Sequence, residues 1–178
     1  MQDRMKRFME PCAVLVGCCL ICTFGACEDT TSNPCGSRSR GTNFPAASGD
    51  SVSISEGISG DVWFWEGNFM ANCPSGSVAS VRREIRIHEL TGIGQVDISP
   101  RGSSFYSEVH TPLVAIIESH ANGFFEVELP PGRYSMFSLE DTLLYANGLD
   151  GSGHIYPVEV RKGKVAAIRF DINYLASF

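Results

Sequence analysis

The chain has 178 residues, 43% hydrophobic and 19% charged, with a mean hydropathy of zero, which is an ordinary globular composition with room for one domain and a core. A formal charge of −6 and a pI near 5.2, with no basic stripe interleaved with aromatics, argue against sequence-independent nucleic-acid binding. Eighteen glycines and nine prolines predict many turns, as in all-β folds.

The N-terminus carries the most specific signal. Arg4, Lys6 and Arg7 form a short basic region, and Pro11 to Ala26 is apolar and uncharged. That run is shorter than the ~20 residues that span a bilayer comfortably and ends in small residues before Cys27, so residues 1–26 read as a signal peptide. Phe24-Gly25-Ala26-Cys27 resembles a bacterial lipobox, which implies that Cys27 becomes a lipidated mature N-terminus. The position three before the cysteine, usually Leu in that motif, is Phe here. Leu15-Val16-Gly17-Cys18 matches the letters better and makes Cys18 the alternative, although cleavage there would leave Cys-Cys-Leu-Ile-Cys on the mature chain. Plain secretion without lipid is the third reading. Residues 27–51 are polar, small and turn-forming, a flexible tether with too few apolar groups to offset the entropy of ordering it. The Glu28-Asp29 pair resembles the export signal of surface lipoproteins in Bacteroidetes-type bacteria, which implies the outer membrane or cell surface; in other Gram-negative groups an acidic residue there means inner-membrane retention. Removing residues 1–26 takes three basic and two acidic groups and leaves eleven against eighteen, a net charge of −7. Of seven cysteines, four lie in the signal and one is the lipid site. Cys35 and Cys73 remain, a pair that an oxidising periplasm allows to bridge tether and domain.

The folded domain is expected over 52–178. Ile58, Gly60, Val62 and Phe64 fall on one face of a first strand, and Asp61, Trp63 and Trp65 on the other. Asn72 to Gly76 is loop. Val78 to Leu90 is the next strand region, with Val81, Ile85 and Ile87 opposite Arg82, Glu84, Arg86 and His88. The polar stretch 91–111 is expected to span the gap between two sheets and, by its length, to be a place for function. Leu113 to Ile117 is apolar on both faces, as in a central strand. Gly123 to Phe137 reads as a hairpin: Phe125, Val127 and Leu129 inward, a Pro130-Pro131-Gly132 turn with positive φ at Gly132, then Tyr134 and Met136 on the return strand. Short strands follow at 143–146, 156–160 and 166–174, separated by Asn147-Gly148, Asp150 to Gly153 and Arg161 to Lys164. Seven or eight short strands without an amphipathic helix predict an all-β sandwich.

Asn122-Gly-Phe-Phe-x-Val-x-Leu-Pro-Pro-Gly-x-Tyr-Ser135, preceded by Ile58-x-Gly60-x-Val62 and followed by Pro157-Val158-x-Val160, resembles the carboxypeptidase regulatory-like domain. This is a transthyretin- or prealbumin-like sandwich of bacterial surface proteins. The resemblance covers residues 52–178 and implies a fold; superfolds host many functions, so it implies no chemistry. The chain departs from the family in the insert at 91–111 and in Trp63-Phe64-Trp65. A hydrolase of purine breakdown shares the fold but ends in Tyr-Arg-Gly-Ser, whereas this chain ends Tyr174-Leu-Ala-Ser-Phe178. The two-Tyr, two-His iron pattern of intradiol dioxygenases is not visible either.

No nucleophile elbow, phosphate-binding loop or His-Glu-x-x-His occurs, and His88, His110, His120 and His154 are scattered. Asp150-Gly-Ser-Gly153, and Asn122 with Glu118, offer oxygens but lack the carboxylate density of a calcium loop, and plain turns account for them. The sequence therefore points to no catalytic residue, metal or cofactor. Trp63 and Trp65 are the binding candidates. If Val62 and Phe64 face inward, the two indoles lie ~6–7 Å apart on the outer face, a platform for sugar rings that Tyr106 or His88 would extend. The opposing reading covers them with the N-terminal segment or the 91–111 insert, since tryptophan is highly buried on average. Arg82, Arg86 and His88, mixed with Glu84, read as a solvated face making cross-strand ion pairs. The expected protein is a lipid-anchored, non-enzymatic envelope module for binding or structural attachment. Its expected partners are the membrane and either carbohydrate or another envelope protein, not nucleic acid. The alternatives are a carbohydrate-binding surface lipoprotein and an enzyme with its site under 91–111.

Overall fold

The computed structural model describes residues 47–71 and 74–178. Cys18, Cys27, Cys35 and Cys73 lie outside the described residues. The strands are β1 (Gly57–Asn68), β2 (Ser77–Ser80), β3 (Glu84–Glu89), β4 (Val96–Ile98), β5 (Phe105–Val109), β6 (Leu113–Glu118), β7 (Phe124–Glu128), β8 (Gly132–Glu140), β9 (Leu143–Tyr145), β10 (Pro157–Val160) and β11 (Val165–Ser177), with one 3-10 turn at Ile93–Gln95. They form two packed sheets of four and seven strands, an all-β sandwich as the alternating patterns predict. Among the described residues there are eleven strands where seven or eight are expected. The 78–90 region divides into β2 and β3, which join different sheets, and the 91–111 stretch contains β4 and β5.

The smaller sheet is built on β1. One flank of β1 pairs in parallel with β11, with Val62 beside Phe170 and Phe64 beside Ile172. Its other flank is shared, antiparallel, by β7 along Gly57–Asp61 and by β2 along Trp63–Glu66. The larger sheet runs β4-β5-β9-β8-β3-β6, with β10 also on β8. Ile58, Val62, Ile85, Ile87, Phe125, Met136, Phe170 and Ile172 fill the space between the sheets. Period 2 explains this: each strand sends alternate apolar side chains inward.

The expected hairpin over 123–137 does not form. β7 pairs with β1 in one sheet, and β8 pairs with β3, β9 and β10 in the other. Leu129 to Pro131 is therefore an arch between sheets, closed where Tyr134 Oη donates to Pro130 O at 2.8 Å. Phe125, Val127 and Leu129 do pack in the core, because an arch and a hairpin impose the same alternation. The positive φ is not at Gly132 but at Gly123, at +86°. A Cβ at Gly123 would lie 2.7 Å from Val62 O, so the close approach of two backbones also selects glycine there.

The 91–111 stretch does not bridge the sheets. It returns as the β4–β5 hairpin, which extends the larger sheet beyond β9. Its first residues lie along 153–155, with Ile93 N donating to Gly153 O at 2.9 Å and Ile155 N to Thr91 O at 2.8 Å. This fold-back closes a second core of Val96, Tyr106, Phe137, Leu144, Ala146 and Ile155. β8 is thereby buried on both faces from Tyr134 to Ser138. Leu113–Ile117, expected as a central strand, lies in the end strand β6 of that sheet.

Candidate functional site

β1 directs Val62 and Phe64 to the core and Trp63 and Trp65 to the other face of the sheet. The parallel register sets Asp61 beside Arg169 and Trp63 beside Asp171. Four groups converge there. The Arg169 guanidinium lies over both indoles, 5.0 Å from the Trp63 ring centre and 5.9 Å from that of Trp65. It also pairs with the Asp171 carboxylate at 2.9 Å. The second oxygen of Asp171 accepts the Trp65 Nε1–H at 2.9 Å. A cation over a π face is attractive, and the carboxylate beneath fixes its position.

The paired indoles are therefore not an open platform. Trp63 is 9% exposed, and its Nε1 is buried without a hydrogen-bond partner among the described residues. Trp65 continues instead into an aromatic ridge. Its ring centre is 5.2 Å from Phe69 and 6.2 Å from Phe178, and Phe69 and Phe178 stack at 5.5 Å. Phe178 is 67% exposed. The 91–111 insert lies in the other sheet and has no part in covering the indoles. Residues 48–53 do reach the smaller sheet: Ser48 N bonds to Asp61, Asp50 accepts from Asn122, and Ser53 is held by Glu126.

Tyr106 and His88 do not join the tryptophans. Tyr106 is buried in the second core with its ring edge on Phe137. His88, expected on a solvated face with Arg82 and Arg86, is buried and donates from Nδ1 to Thr111 O at 2.9 Å. It stays on the face opposite Ile87, in register with Ser135, and is buried because its ring meets Phe137 where the second core covers that face. Burial lowers its pKa, Arg86 lowers it further, and the bond to Thr111 opposes both. Arg82 pairs across to Glu118 of β6 at 3.9 Å, as expected, whereas Arg86 pairs with Glu84 of its own strand at 2.8 Å.

A cleft of about 480 Å³ opens beside the insert, between Ile93, Ile98, Ser103, Ser104 and Tyr106 on one side and Ala146 to Leu149 on the other. Ile93, Ile98 and Leu149 are exposed aliphatics at its rim. Tyr106 is the one ionisable side chain in this lining, and burial raises its pKa. The turn at Asp150 is closed by its own carboxylate, which accepts from Ser152 N and His154 N and contacts His154 Nδ1, each at 2.9 Å. These bonds to His154 and Ser152 bring the Asp150 pKa down to about 2. Among the described residues no cluster of three His, Cys, Asp or Glu is placed to hold a metal ion.

One buried charge was not anticipated. Glu140 is 3% exposed and accepts from Arg83 Nε and from Tyr174 Oη, both at 3.0 Å. Arg101 stacks on Phe105 and Tyr174 and pairs with Asp141 next to it. A lone Glu before a turn gives no sequence signal of burial. For Arg169 and Asp171, the i, i+2 spacing on the final strand puts both on one face, which points to Trp63 and Trp65 once β11 is known to lie beside β1.

No family model matches this chain, and neither a curated protein nor a solved structure matches it.

Proposed function

We propose that this chain is a lipid-anchored bacterial envelope protein whose β-sandwich, of the carboxypeptidase regulatory-like kind, is a non-enzymatic module for binding or attachment. The observation that carries the reading is the apolar run ending at Cys27, followed by a polar stretch and then a compact sandwich that presents an aromatic surface. Trp65, Phe69 and Phe178 supply contact area with little side-chain entropy to lose, the usual basis of a recognition surface. Replacing Cys27 with Ser, or treating cells with globomycin, is expected to block processing and move the protein out of the membrane fraction. Unchanged processing and fractionation would overturn the anchor.

A second reading, a carbohydrate-binding surface, is favoured by the geometry of Trp65. Asp171 fixes the indole by its N–H, and an exposed Phe178 ring lies nearby, so an aromatic surface and a hydrogen-bonding carboxylate adjoin. Trp65→Ala is expected to weaken glycan capture at least about tenfold, the cost of one ~1.5 kcal/mol stacking contact. Trp63→Ala tests folding more than binding, because Trp63 is covered. Glycan capture that is unchanged in Trp65→Ala would remove this reading.

A further inference from the structure

Both ends of the 91–111 stretch meet in one buried polar cluster. Thr91 and Thr111 are 0% and 8% exposed, and their hydroxyls lie 2.6 Å apart. The Thr91 hydroxyl donates to Glu89 O at 2.7 Å, so its oxygen accepts the proton of Thr111. Thr91 N donates to Ser135 Oγ at 2.9 Å, and Thr91 O accepts from Ile155 N at 2.8 Å. Every polar group of Thr91 is thereby engaged. The Thr111 carbonyl accepts from His88 Nδ1 at 2.9 Å, which places the proton of the neutral ring on Nδ1. A further rung, His110 N to Gln95 O at 2.9 Å, joins the two arms just beyond. The far end of the stretch is held differently: Phe105 packs in the core between the sheets, against Tyr145.

We propose that this cluster is an acid-released clasp: protonation of His88 parts Thr91 from Thr111, and residues 91–97 and 108–112 lift from the second core while Phe105 holds the far end. His88 is the one member of the cluster that titrates near neutral pH. Thr111 supplies both the carbonyl on the His88 ring and the hydroxyl on Thr91. Moving it aside to let water reach the ring therefore opens the clasp. Nothing around the ring favours a charge on it. Phe137 meets it edge-on at 5.6 Å, Ser135 is its cross-strand neighbour on β8, and Leu113 is its neighbour on β6. Arg86, on the same face of β3, repels an imidazolium, and Glu84 is taken by Arg86. Glu89 lies on the opposite face, beside Tyr134. Arg133 of β8 is paired with Asp150, which also holds His154, and Asp97 of the insert is paired with His110. Tyr106, packed on the same Phe137, has its pKa raised by burial and stays neutral. Burial holds the pKa of His88 down in the closed form, so the proton binds more tightly once the ring is wet, and acid favours the open form. Lifting the arm uncovers Val96, Tyr106 and Ile155 and leaves the core between the sheets closed, a sub-global opening of the kind hydrogen exchange resolves.

The test is hydrogen exchange of the purified full chain, read at single amides by NMR and corrected for the intrinsic pH dependence of exchange. From pH 7.5 to 5.5, protection is expected to fall at Ile93, His110 and Ile155, by at most about tenfold per pH unit for one proton. It should hold at Val62 and Val81, whose amides bond to Gly123 and Val62 in the smaller sheet. The His88 ring resonance should titrate with the same midpoint. His88→Gln should remove the pH dependence. Thr111→Val keeps the shape and the carbonyl but loses the hydroxyl, so protection should drop about fivefold at both pH values, the equivalent of one ~1 kcal/mol hydrogen bond, with the pH dependence kept. His110→Gln should also keep it, which separates His88 from an exposed neighbour. The proposal is overturned if His88 titrates without a change at those amides, if a folded His88→Gln keeps the pH dependence, or if protection falls equally at Val62 and Val81.

Discussion

Two buried groups set the residue-scale behaviour. The Glu140 carboxylate is almost fully enclosed, and its two oxygens are taken by Arg83 and Tyr174. Glu140→Gln keeps the shape but removes the charge, so it should lower unfolding stability by ~1–3 kcal/mol. Arg83 retains some access to water, which keeps the loss below that of a fully buried pair. A urea midpoint equal to that of the parent would show that the charge is not needed. His88 acts through pH. Burial lowers its pKa in the fold below the ordinary 6.5, so the unfolded chain takes up the proton first. Its contribution is fully present above about pH 6.5 and is lost as the pH falls through the lowered folded value. Urea unfolding between pH 7.5 and 5 should show a steeper loss in the parent than in His88→Gln, and parallel curves would refute the assignment.

At the scale of elements, β1 carries the smaller sheet, and Gly60 decides how closely β11 can approach. A Cβ on Gly60 would run into the Ile168 carbonyl and come within 2.9 Å of the Ile168 side chain. Gly60→Ala should cost ~1–3 kcal/mol by overpacking, whereas Gly94→Ala, with nothing within 4 Å of the new Cβ, should be near neutral. Thermal midpoints that do not separate the two would contradict this account of the β1–β11 contact. The arch at 129–131 shows why elements were legible and their partners were not. The alternation Phe125, Val127, Leu129 identifies a buried face, and that face is correct. Whether β8 folds back on β7 or crosses to the other sheet depends on hydrogen bonds to β3 and β1, whose residues lie tens of positions away. The same limit explains β6. Its apolar run reads as a central strand because composition reports burial preference, and its end position is visible only in the sheet order.

For the whole molecule, the proposed cellular address and the sandwich rest on different grounds. The apolar run before Cys27 and the polar stretch after it are local patterns that need no partner, so the sequence alone supports the expected anchor, and Cys27→Ser tests it directly. Alternating faces, turn residues and the lack of a helical period likewise fixed the all-β class from local chemistry. Tertiary structure decided what depends on distant residues meeting. It folded the 91–111 insert into a second core, buried Glu140 beneath Arg83 and Tyr174, and placed β6 at the end of the larger sheet. It also brought Arg169 and Asp171 of the last strand onto the tryptophans of the first. That pair lies more than a hundred positions along the chain from Trp63 and Trp65. Nothing in the spacing around either segment encodes a parallel pairing between them; it follows from how two sheets close around one core.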